Sequence, residues 1–216
     1  MTSNLRSEVA VAAARLVAEE GCDYALAKRR AVRELFGSGD LAGSLPDNRE
    51  VEREVRRHLG LFAADTHPPL LAALRQVAAD MMERLAQFEP HLIGAVLNGT
   101  ATEHSDVHLN LYVDSEKDVE LYLLASGIEF DAEEPAVEER SMGLERLSFA
   151  LPARGEGFPP SMRMVGIQLH VYPYAALRIA PRGRSDPETE ADLHPVEASG
   201  RADLIALRRL LAERAR

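Results

Sequence analysis

The stretch MRMVGIQLHVYP, residues 162–173, limits the fold more than any other part of the chain. Met162, Met164, Gly166, Gln168, His170 and Tyr172 alternate with Arg163, Val165, Ile167, Leu169 and Val171. A period of two sends successive side chains to opposite sides of a β-strand, so the second set forms an aliphatic face and the first a mixed, more polar one. HLIGAVL (91–97), VHLNLYV (107–113), GIEFDAEEPAV (127–137) and LERLSFAL (144–151) are further strand candidates, short and rich in branched residues.

Around these strands the apolar spacing is helical. Val9, Ala12, Ala13, Leu16 and Val17 predict a helix over 5–20 that stops at Gly21. Asp23 caps a second through Phe36, whose end GSGD marks, and Val51, Val55, Leu59 and Phe62 predict a third after Pro46. Thr66 caps a long helix, with Pro68 in its first turn, that runs to about Phe88 through Leu70, Leu71, Leu74, Val77, Met81 and Leu85. Met82 joins Met81 as a packing group. KDVELYLLASG (117–127) reads as a helix ending at Gly127, and residues 201–214 as a last one carrying Leu204, Leu207, Leu210 and Leu211.

The order, helices followed by mixed strands and helices, gives an α+β fold. We expect an all-helical N-terminal region over 1–64, a mixed sheet with flanking helices over 65–180, a polar loop over 181–198 and a C-terminal helix over 199–216 that packs on the core.

Composition narrows the function. Hydrophobic residues make up 46% of the 216 positions and charged ones 28%, and no run reaches the roughly 18–20 apolar residues of a membrane span. Cys22 is the single cysteine, so an intrachain disulfide or a cysteine-built zinc cage is excluded, and the start does not read as a signal peptide. These features place the expected compartment in the cytoplasm, with no membrane partner.

Net charge is −10, and thirteen acids between Glu103 and Glu145 face only Lys117 and Arg140. That segment repels polyanions, so nucleic acid is not an expected partner, whereas a metal cation or a basic protein is. Arg29, Arg30, Arg33, Arg53, Arg56 and Arg57 in the helical region are matched by acids, ten against ten over residues 1–62, which reads as an ion-paired surface.

One constellation carries chemistry. Gly94-Ala95 and Gly99-Thr100 precede Ser105-Asp106-Val107-His108 at the entry of a strand. The pattern resembles the DNA polymerase beta superfamily of nucleotidyltransferases, in particular its small bacterial members. That family has a Gly-Ser pair after a first strand, a second glycine five residues on, and Ser-Asp-x-Asp on the next strand. The likeness covers about 25 residues, with element order in support out to about residue 173.

The resemblance implies transfer of a nucleoside monophosphate from a triphosphate, with magnesium or manganese as cofactor. It makes Gly94, Ala95, Gly99, Thr100, Ser105 and Lys117 the nucleotide-binding residues, and Asp106 and His108 the catalytic and metal-binding ones. Glycines let backbone N–H groups approach phosphate, and carboxylates at i and i+2 share one side of a strand where two metal ions can be clamped. Here Ala95 replaces the serine, His108 the second aspartate, and Gln168 or His170 occupies the place of the third acid.

Three functions are open at this point. One is a transferase; one is a non-catalytic relative that binds a nucleotide, another small molecule or a protein partner. The third is a metalloenzyme holding zinc, manganese or iron through Asp106, His108 and His170, donors suited to such ions. No P-loop, Rossmann glycine signature or Gly-x-Ser-x-Gly elbow occurs.

Overall fold

The computed structural model describes residues 2–37, 45–115, 117–133, 144–178 and 193–214. They form α1 (Thr2–Glu20), α2 (Tyr24–Phe36), α3 (Asn48–Phe62), α4 (His67–Arg84), β1 (His91–Ile93), α5 (Gly94–Asn98), β2 (Val107–Val113) and α6 (Lys117–Ala125). Then come β3 (Asp131–Glu133), β4 (Glu145–Pro152), β5 (Met164–Pro173), α7 (Pro195–Ala198) and α8 (Leu204–Arg214). The chain divides into two compact units, Met1–Pro69 with Thr102–His104, and Leu70–Ala101 with Ser105–Arg216.

The first unit is built from α1, α2 and α3. Asp23 caps α2 by accepting the Leu26 N–H at 2.8 Å. Asp47 and Glu50 form a capping box at the start of α3, each side chain accepting the other's backbone N–H. Val9, Ala13, Leu16, Ala27, Ala31, Val51, Val55 and Leu59 close a small-residue core. Arg6 holds Glu50, Arg15 holds Glu34 and Arg30 holds Glu20 on the outside. Phe62 departs from its expected place in the α3 stripe: it is 76% exposed, because it is the last residue of the helix and lies a turn past Leu59, where this core ends.

The second unit is a five-stranded mixed sheet in the order β1-β2-β5-β4-β3. β2 and β5 are parallel, and every other pair is antiparallel. β5 is central in the sheet and helices cover one of its faces, so its aliphatic set is fully buried: Val165, Ile167, Leu169 and Val171 join Val107, Leu109, Leu111 and Leu147 on that face. Leu74, Met82 and Leu85 from the α4 region, Val119 and Leu123 from α6, and Leu207 from α8 complete this core. Each such side chain removed from water contributes about 1.5–3 kcal/mol. The opposite face carries His108, Asn110, Gln168, His170, Arg146 and Ser148, all half-buried.

Four expectations change. HLIGAVL is a strand only through Ile93; Gly94, at φ 72, turns the chain into the five-residue α5, since an apolar run this short fits either element and the glycine decides. α4 starts at His67, directly after Thr66 as expected, but stops at Arg84, and Ala86–Phe88 is a separate 3-10 turn. The strand expected over 127–137 is reduced to β3 within its described part, residues 134–137 lying outside the described residues. The loop over 181–198 lies outside them to residue 192, and its end is the short helix α7, capped by His194. The GSGD stop lies outside them beyond Gly37.

No described helix is long and apolar enough to cross a membrane.

Candidate functional site

Parallel pairing of β2 with β5 sets His108 opposite Gln168 and Asn110 opposite His170. Side chains on the polar face therefore meet across the two strands, although 62 residues separate them in sequence. Gln168 Nε2 donates to Asp106 Oδ2 at 3.2 Å, and His108 Nδ1 shares a hydrogen bond with His170 Nε2 at 3.1 Å. The two imidazoles are nearly parallel, with centroids 5.4 Å apart and planes 22° apart.

Asp106 reaches this position because β5 has no side chain at Gly166. A Cβ there would stand 2.0 Å from Asp106 Oδ1. Gly94 closes another side, its absent Cβ pointing at the His108 ring 3.8 Å away. Burial holds the His108 imidazole below its ordinary pKa; the Asp106 charge opposes this and Arg146 reinforces it. Arg146 stands opposite His170 on β4.

The structure thus brings together Gly94, Asp106, His108, Gln168 and His170, and adds Arg146. It leaves the other expected ligands elsewhere. Gly99, at φ 83, ends α5, and the Thr100 N–H and hydroxyl both donate to Asn98 Oδ1 at 3.0 and 2.7 Å, so that hydroxyl is used within the turn. Ala95 is in the first turn of α5, and its carbonyl accepts from Gly99 and Thr100. Ser105 precedes Asp106 and is half-buried. Lys117 opens α6 beyond the far end of β2, a strand about 23 Å long, and is exposed.

What fixes α5 is a buried ionic group that the sequence does not announce. Arg75, 3% exposed, donates to the Val96 and Leu97 carbonyls at 3.0 and 2.8 Å and to Glu197 at 2.8 Å. Glu197, 5% exposed, also accepts from Arg214 at 2.9 Å. The guanidinium satisfies carbonyls that the end of α5 leaves without helical partners. Burial pushes the Glu197 carboxyl up, but the hydrogen bond and charge of Arg75, with Arg214, hold it below its ordinary pKa on balance. An arginine within an apolar helical stripe looks like any surface arginine in sequence. Arg146 was more accessible, since it alternates with Leu147 on an evident strand.

A hard cation such as magnesium takes oxygen ligands. Around Asp106 the donors are one carboxylate, one carboxamide already bonded to it, and two imidazoles bonded to each other. That set does not fit a clamp of two magnesium ions. Among the described residues no three His, Cys, Asp or Glu side chains are grouped to hold an ion. What the cluster can do is present hydrogen-bond donors and acceptors, of mixed charge, at the foot of two parallel strands. No family model, curated protein or solved structure matches the chain.

Proposed function

We propose that the chain is a nucleotidyltransferase-type protein that binds a nucleotide or a similar phosphorylated small molecule without transferring its nucleotidyl group. One observation carries the reading. The strand, short helix and strand of β1, α5 and β2, with β5 parallel to β2, gather Gly94, Asp106, His108, Gln168 and His170 at one corner of the sheet. The link to the family rests on the sequence pattern from Gly94 to His108. The chemistry at the corner is different.

In that reading Gly94, which carries no side chain beside the His108 ring, leaves room for the ligand to approach. Asp106 and Gln168 recognise donors on the ligand, and His108 and His170 contact its anionic part. Transfer in the family relies on carboxylate-held metal ions, and removing such ligands lowers rates by orders of magnitude. Histidines in those places favour retention of binding over turnover. A fold hosts many functions, so the residues at the corner decide.

The test is calorimetry with a non-hydrolysable nucleoside triphosphate, with and without manganese, beside a product assay with an α-labelled triphosphate. Saturable binding without labelled product supports the proposal. Labelled product in proportion to enzyme returns the chain to the transferases, and no binding of any nucleotide or sugar phosphate overturns the reading.

A further inference from the structure

A second feature lies at the other end of the parallel pair. β2 ends at Val113 and β5 at Pro173, and outside their carboxyl ends is a cavity of about 430 Å³. Its walls include Phe88, Tyr112, Tyr174 and the carboxylate residues Glu89, Asp114 and Asp118. The carboxyl ends of parallel strands are where open α/β sheets place ligands, and the volume is in the usual range for a small-molecule site. Eight residues of extended chain, about 26 Å, separate Asp114 from Asp106, so this is not the corner described above.

The lining is one-sided in charge. Among the described residues it holds three acids and no Lys, Arg or His, with Arg201 reaching the Tyr112 hydroxyl from behind, in a chain of net charge −10. Phe88 and Tyr112 are 6% and 5% exposed and held in place: Phe88 meets the Tyr122 ring edge-on, and the Tyr112 hydroxyl accepts from Arg201 at 3.3 Å. Tyr174 is 45% exposed at the mouth. The exposed Tyr174 ring and the carboxylates attract cations in two ways, through the ring quadrupole and through the field of the charges, while the nearly buried Phe88 and Tyr112 give a fixed apolar wall.

The kind of cation follows from spacing. The three carboxylates are not grouped to hold one ion, as no such trio occurs among the described residues. A compact metal ion would not meet all three; an extended cation with spread charge and an apolar stem can meet acids and rings at once. We propose that this cavity binds a small organic cation, an alkylammonium or guanidinium compound, with its stem against Phe88, Tyr112 and Tyr174 and its charged groups toward Glu89, Asp114 and Asp118. The proposal is independent of nucleotide binding at Asp106.

Agmatine and spermidine are the probes, titrated calorimetrically against the full chain at fixed ionic strength, with magnesium chloride and sodium chloride as comparisons. Saturable one-to-one binding of either amine is expected. Asp114→Asn with Asp118→Asn weakens it about tenfold, Tyr174→Ala several-fold, and the distant Asp80→Asn leaves it unchanged. All four positions are exposed, and equal melting temperatures establish that the variants fold. Unchanged affinity in the double variant, equal binding of magnesium, or amine binding no stronger than the effect of sodium chloride overturns the proposal. Nucleotide binding by the same double variant reports on the Asp106 corner separately.

Discussion

His108 and His170 face one another across β2 and β5 with Nδ1 and Nε2 3.1 Å apart. One of these nitrogens carries the proton and the other accepts it, so the bond needs at least one neutral ring. His108 is held below its ordinary 6.5 by burial, with the Asp106 charge opposing and Arg146 reinforcing. In the window from 6.5 down to its folded value, the unfolded chain binds a proton that the folded chain does not. Stability therefore falls as pH drops through that window. Urea midpoints from pH 8 to pH 5 are expected to show this slope, and His108→Asn to reduce it; equal slopes in both proteins count against the pairing.

Glu197 works in a lower range. Its carboxyl is held below the ordinary 4.5 despite burial, by Arg75 and Arg214, so its contribution is fully present above 4.5 and lost as pH falls toward the folded value. Glu197→Ala leaves the buried Arg75 guanidinium without its carboxylate, and a loss of about 3–5 kcal/mol is expected in chemical denaturation. The variant is also expected to lose part of the acid-dependent destabilisation below pH 4.5. A cost under about 1 kcal/mol is incompatible with the described burial.

Gly166→Ala tests the placement of Asp106. The new Cβ would meet Asp106 Oδ1 at 2.0 Å, and the carboxylate, the mobile end of its side chain, has to swing away from Gln168. The cost in stability is expected near 1 kcal/mol, that of one hydrogen bond. Nucleotide affinity, measured by calorimetry, is expected to fall about tenfold, as for a lost charge-assisted contact. A variant with wild-type affinity and stability separates Asp106 from both roles.

Glu89 is the one non-glycine residue with positive φ among the described residues, at 48°. An L side chain in the left-handed region costs about 1–2 kcal/mol, part of which glycine returns through the entropy of the unfolded chain. Glu89→Gly is expected to raise stability by about 0.5–1 kcal/mol in thermal or urea denaturation. The same substitution removes one carboxylate from the cavity and is expected to weaken agmatine. A destabilised variant would show that the Glu89 side chain has a structural partner that outweighs its backbone strain.

The sequence by itself determined what depends on near neighbours. Asp23 marks the start of α2 because a cap bonds within three residues. The alternation along β5 assigned its buried face because the period is a property of the extended chain. Asp106 and His108 stood out because their spacing is local. Tertiary structure decided the rest. Whether 94–98 is strand or helix depended on Gly94 and on Arg75, a residue 21 positions from the carbonyl it holds. Which groups surround Asp106 depended on β5 being the parallel neighbour of β2, and the Arg75–Glu197 pair spans 122 residues. Hydrogen bonds within a few residues leave a pattern that can be read along the chain. Bonds between distant segments exist only after burial of the shared apolar face has brought those segments together.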